Sequence, residues 1–182
     1  LPFKSFRFFN GTVVLPRNLK IIGQEAFSFS NVKNLDLSQA PNLHTLGVDA
    51  FYYSKIDQID LSKAPNLHTL DNGVFESCQN LKLIDLSKNN MIKKIGQNAF
   101  NGVNGKVILP DYLESLPFKS FRFFNGTVVL PRNLKIIGQE AFSFSNVKNL
   151  DLSQAPNLHT LGVDAFYYSK IDQIDLSKAP NL

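Results

Sequence analysis

The chain has 182 residues, 43% hydrophobic and 19% charged, with 10 Gly, 9 Pro and a single Cys. It is long enough to bury a substantial core, and its composition excludes a collagen-like chain, a disulfide-stapled miniprotein and a wholly disordered tail. The net charge of +4 comes from interspersed signs, with no basic run longer than Lys93-Lys94; this argues against a nucleic-acid binder, and no stretch approaches the ~20 apolar residues of a membrane span.

The 16 Phe, set against one Met and no Trp, are explained by repetition. Along the chain, anchor residues recur at Phe6, Phe27, Phe51, Phe75, Phe100, Phe121, Phe142 and Phe166, spaced 21, 24, 24, 25, 21, 21 and 24 residues apart. Ahead of most anchors stands an L-x-x-L/I-G step, as in Leu19-x-x-Ile22-Gly23, Leu43-x-x-Leu46-Gly47 and Ile92-x-x-Ile95-Gly96. Behind them comes an alternating triplet: Val13-x-Leu15, Leu35-x-Leu37, Ile59-x-Leu61, Ile84-x-Leu86, Val107-x-Leu109 and Val128-x-Leu130. Alternation at period two marks a strand with one buried face. Each unit of about 23 residues therefore predicts a strand, a turn, a second short extended segment, and one or two helical turns around Ala-Phe. No such unit buries its apolar face alone, whereas stacked units do, with strands ~4.8 Å apart in a parallel sheet.

A longer period lies over the short one. Residues 1–67 and 116–182 are identical, at an offset of 115. Solvent-facing letters match as faithfully as core letters, so folding pressure alone does not account for the identity; tandem duplication, gene conversion or deliberate construction does.

The pattern L-x-x-I/L-G-x-x-A-F-x-x-x-x-x-L-x-x-I-x-L resembles the BspA-type (Treponema pallidum-type) leucine-rich repeat. The closest units are Leu19–Leu37, Leu43–Leu61 and Leu67–Leu86, and the resemblance covers essentially the whole chain in about eight coils. Two departures stand out. The family's Cys, three residues after the Phe, occurs once as Cys78, its counterparts being Phe9, Ser30, Ser54, Val103, Ser145 and Ser169. The Gly-x-x-Ala step is also lost in Leu116-Pro117-Phe118-Lys119-Ser120-Phe121. The resemblance implies an α/β repeat solenoid, a right-handed superhelix of parallel β-strands with short helical or 3₁₀ turns. It would form one domain over residues 1–182, in coils of 21–25 residues. It further implies an extracellular or cell-surface protein that acts in adhesion, with a protein or cell-surface ligand as partner. The alternative is a structural building block of a self-assembling surface filament or layer. Leu182 is in the phase of the first leucine of an L-x-x-L step and Leu1 in that of the second. We therefore expect a window from a longer array, or further copies stacked end to end.

Catalysis is not expected. Cys78 falls at a core column, His68 lies ten residues earlier on another segment of the coil, and no nucleophile elbow, phosphate loop or H-E-x-x-H occurs. No cofactor is expected. His44 and His68 share a column that His159 repeats, too few ligands for zinc.

Two columns are candidates for contact. The outward strand position carries Asp36, Asp60 and Asp85, then Asp151 and Asp175. These form either a solvated ladder offset by the flanking Lys33 and Lys82, or a ligand or cation contact. Two residues after the anchor stand Phe8, Phe29 and Tyr53, then Ser77 and Gly102, and the set repeats as Phe123, Phe144 and Tyr168. Those rings either fold inward, filling space left by Ser30 and Ser54, or face outward as a stacked stripe rimmed by Arg7 and Tyr52. Asn10-Gly11-Thr12 and Asn125-Gly126-Thr127 match glycosylation acceptors, and Asn-Gly equally suits the turn before the strand.

Overall fold

The computed structural model describes residues 1–147, 150–171 and 173–182. The L-x-x-L steps form one parallel ladder. It joins strands Ile21–Ile22, Thr45–Leu46 and Thr69–Leu70, extends by a bridge from Leu70 to Ile95, and resumes with Ser115–Leu116, Ile136–Ile137 and Thr160–Leu161. The alternating triplets form a second: Asn34–Leu35 pairs with Gln58–Ile59, Leu83–Asp85 with Lys106–Ile108, and Lys106–Ile108 in turn with Thr127–Val129. Register is in phase, so Ile22 lies opposite Leu46 and Leu46 opposite Leu70. About six turns of the solenoid are closed in this way.

The Ala-Phe segments differ from the expected helical turns. Ala26, Ser28 and Ser30 donate their N–H groups to the carbonyls of Gly23, Glu25 and Phe27, making three consecutive tight turns. The alternate donors of Glu25, Phe27 and Phe29 leave the coil and bond to Val48, Ala50 and Tyr52 of the next one. A helix would need all six donors for itself, and stacking takes every second one. The path requires left-handed backbone at Glu25 (φ 53°) and Phe29 (φ 56°), and such a pair recurs in every coil from Lys4 and Phe8 to Asp164 and Tyr168. Helical structure occurs instead as 3₁₀ turns after the second strand, at Leu37–Gln39, Leu61–Lys63, Leu152–Gln154 and Leu176–Lys178.

The anchors meet in the core as a continuous spine from Phe6 to Phe166. Successive ring centroids are 5.1 to 6.3 Å apart and no more than 28° from parallel. Ala26, Ala50 and Ala99, each just before its Phe, are fully buried and let the coils close against one another. Cys78 is part of this core. Its Sγ donates to the Phe51 carbonyl at 2.9 Å, and burial pushes the thiol up to about 12, leaving no thiolate at neutral pH. Ser30 and Ser145, in the same column, keep buried hydroxyls without a partner among the described residues.

Close backbone approach explains the glycine of the L-x-x-L-G step. A Cβ on Gly96 would lie 2.3 Å from the Asn72 nitrogen, whereas one on Gly11 would meet only the Phe9 ring at 3.0 Å. Gly96→Ala is therefore expected to cost about 3 kcal/mol by forcing two coils apart. Gly11→Ala should cost less than about 1 kcal/mol, because a side chain on the exposed loop can yield. Urea denaturation of the two variants checks the difference.

Candidate functional site

Of the two orientations open to the aromatic column, the structure shows the outward one. Phe8, Tyr53, Phe123, Phe144 and Tyr168 are exposed, reaching 64% at Phe8 and 71% at Tyr168, and Phe29 is half-buried between its neighbours. The rings form two separate stacks. Phe8–Phe29 and Phe29–Tyr53 lie 5.2 and 5.5 Å apart; Phe123–Phe144 and Phe144–Tyr168 lie 5.2 and 5.6 Å apart. All six residues occupy left-handed backbone, with φ between 51° and 59°. Tyr52 and Tyr167 pack edge-on against Phe29 and Phe144 at 5.3 and 5.5 Å, widening each ridge.

A charged clamp holds each ridge at its first coil. The Arg7 guanidinium sits 4.7 Å from the Phe8 centroid and 5.4 Å from that of Phe29. Glu25 pairs with Arg7 at 3.5 Å and Lys4 at 3.6 Å. Arg122, Lys119 and Glu140 repeat the arrangement around Phe123 and Phe144. Glu25 and Glu140 are the members that sequence reasoning missed. The available signal was the column relation, since Glu25 follows Lys4 one coil later at the same left-handed position. One coil further, the Asp49 carboxyl is pushed up by burial and by Glu25. Glu76 is pushed up by burial and by Asp49, with Arg122 pulling back.

The aspartate column serves mainly as a set of caps. Asp36, Asp60, Asp85, Asp151 and Asp175 accept the N–H of Ser38, Ser62, Ser87, Ser153 and Ser177 at 2.8 to 3.0 Å. At all but Asp85 a 3₁₀ helix follows. These bonds hold Asp36, Asp151 and Asp175 below the usual carboxylate range. Lys82 and Lys88 line the cleft that also holds Asp60 and Asp85. Lys33 does not: it lines a different cleft, and the cation acting on Asp36 is Lys63.

Among the described residues no group of three or more His, Cys, Asp or Glu is placed to hold a metal ion. His44 and His68 stack at 5.1 Å, each with Nδ1 against the hydroxyl of the following threonine. Asn10 and Asn125 are both exposed, and Asn125 Oδ1 accepts from Asn146 Nδ2 at 2.9 Å. No helix among the described residues is long and apolar enough to cross a membrane.

Two parallel ladders, a stacked turn face and apolar columns of one residue per coil define a leucine-rich-repeat solenoid. The profile of the BspA type leucine rich repeat region matches residues 3–125 and 93–181, in 6 copies, and the chain belongs to that family. Among solved structures it is similar to the functional domain of InlJ from Listeria monocytogenes, described as including a cysteine ladder. The identity is 22%, over 85% of this chain and 36% of that one, with a TM-score of 0.27. It is also similar to a leucine-rich repeat protein from Bacteroides ovatus (18% identity, 85% and 69% covered, TM-score 0.28). Internalin C2 from Listeria monocytogenes is a third (14% identity, 84% and 74% covered, TM-score 0.31). The chain thus spans 36% of the length of the InlJ domain. No curated protein matches the sequence.

The raised carboxyl of Asp49 yields a pH test. Its folded-state pKa lies above the unfolded value, so its charged form weakens the fold, and that penalty disappears as pH falls through the folded pKa. Asp49→Asn removes the charge and suits left-handed backbone. It should raise stability at pH 7 by less than about 1 kcal/mol, because the group is half solvated. Thermal melts at pH 7 and pH 4 should show the gain at the higher pH and its shrinkage at the lower.

Proposed function

We propose that this chain is a non-catalytic extracellular or cell-surface binding protein whose contact surface is the pair of aromatic ridges on the turn face. Repeat proteins of this class generally bind other proteins across an extended face, and the observation that carries the proposal here is exposure. The left-handed position belongs to the turn path of every coil, and Ser77 and Gly102 occupy it with no ring. Phe8, Tyr53, Phe123 and Tyr168 nonetheless turn large aromatic surfaces to solvent there. Stacked rings gathered on an exposed surface, where the same backbone accepts a small residue, point to contact with a partner. The guanidinium of Arg7 at the rim supplies the polar group that such interfaces favour.

The test is a quadruple variant, Phe29→Asn, Tyr53→Asn, Phe144→Asn and Tyr168→Asn. Relief of strain offsets lost stacking, so stability should change by less than about 1 kcal/mol per site. Surface plasmon resonance against a panel of immobilised matrix and cell-surface proteins should show binding by the parent chain, weakened at least tenfold in the variant. Unchanged affinity would remove the ridges as the contact surface. A stability loss above about 3 kcal/mol per ring would assign them to the core instead. Self-assembly is the competing reading, and electron microscopy separates it. Ordered filaments of the parent chain that vanish in the variant, without binding to any panel member, would make a second copy the partner.

A further inference from the structure

Past the turn face, before the second strand, lies a cleft of about 710 Å³ lined by Lys33, Lys55, Lys82 and Lys106, from four successive coils. All four side chains are exposed, and none has an ion-pair partner within 4.0 Å among the described residues. The contrast with Lys4, Arg7, Lys119 and Arg122 is direct, since each of those is neutralised by a glutamate. Among the described residues the cleft holds one carboxylate, Asp57, and Lys82 also borders the neighbouring cleft that contains Asp60 and Asp85. Four exposed ammonium groups gathered around Asp57 give the cleft a positive potential that favours an anion.

The rest of the lining restricts which anion fits. Gln79, Asn80 and Asn104 contribute carboxamides and Thr127 a hydroxyl, and no aromatic side chain borders the cleft. A single-stranded nucleic acid is usually held by rings that stack its bases together with cations on its phosphates. Here only the cations are present, beside groups that exchange hydrogen bonds with hydroxyls. At ~4.8 Å per coil, Lys33 and Lys106 stand ~15 Å apart along the solenoid, a span for an extended polymer rather than a single ion. We propose that this cleft binds an acidic polysaccharide, its sulfate or uronate groups on the four lysines and its hydroxyls on the carboxamides. The site is separate from the aromatic ridges, so its outcome does not depend on theirs.

Fluorescence anisotropy with a labelled heparin octasaccharide, at 50 and 150 mM NaCl, tests the assignment. The parent chain should bind at the lower salt and weaken several-fold at the higher. A variant carrying Lys33→Gln, Lys55→Gln, Lys82→Gln and Lys106→Gln should lose at least tenfold in affinity with its melting temperature unchanged. A control with the same charge loss elsewhere, at Lys20, Lys63, Lys88 and Lys178, should lose less than threefold. If the quadruple variant fails to fold, the pairs Lys33→Gln with Lys55→Gln and Lys82→Gln with Lys106→Gln each should lose at least threefold. No binding at 50 mM NaCl overturns the proposal. So does equal loss in cleft and control variants, which would reduce the effect to net charge, and so does tighter binding of a single-stranded DNA of equal charge, which would make nucleic acid the ligand.

Discussion

Each coil of this protein must hydrogen-bond to its neighbour at a separation of ~4.8 Å, and that distance governs the rest. It is close to the spacing at which planar rings stack, so one Phe per coil becomes a spine at 5.1 to 6.3 Å rather than a set of separate contacts. It leaves no room for a Cβ where backbones meet at Gly96. It also divides the donors of the turn face, half closing turns and half reaching the next coil. On the turn face Phe27 N–H bonds to Ala50 of the next coil, and on the strand face Gly47 N–H bonds to Ile22 of the preceding one. Each coil is thus held to its neighbours from both sides.

What could be read from the letters follows from the same geometry. A solenoid maps each sequence column onto a spatial column, so the Phe anchors, the strand triplets and the core position of Cys78 were legible as periodicity. Conformation within a column was not. Nothing in the letters shows that the N–H of Phe27 leaves its own coil, so the pattern alone predicts a helical turn at Ala-Phe. Aromatic residues rarely adopt positive φ, and the periodicity of Phe29 suits an inward and an outward ring equally. The aspartate caps did leave a signal, because Asp-Leu-Ser places a side-chain acceptor two residues before the N–H it bonds. That signal repeats at Asp36, Asp60, Asp85, Asp151 and Asp175. The lysine cleft left only a partial signal: Lys33 and Lys82 share a column with Asp57 between them, whereas Lys55 and Lys106 come from neighbouring positions of their coils.

The 115-residue repeat takes on meaning in this setting. Its length is the sum of five anchor spacings, so a duplicated block adds five whole coils and returns every column to phase. The ridge of Phe8, Phe29 and Tyr53 therefore reappears as Phe123, Phe144 and Tyr168, with the same ring spacing and the same arginine clamp. Corresponding rings are separated by roughly 24 Å, five coil steps. Between the two ridges, Ser77 and Gly102 break the stack and limit each exposed aromatic run to three coils. On the proposed reading of the ridges as contact surfaces, two contacts at a fixed separation gain affinity for a partner with a matching repeat, without enlarging either contact. Duplication in whole coils preserves that gain. A block that was not a whole number of coils would shift the second ridge out of its column, and with it the backbone geometry that turns the rings outward.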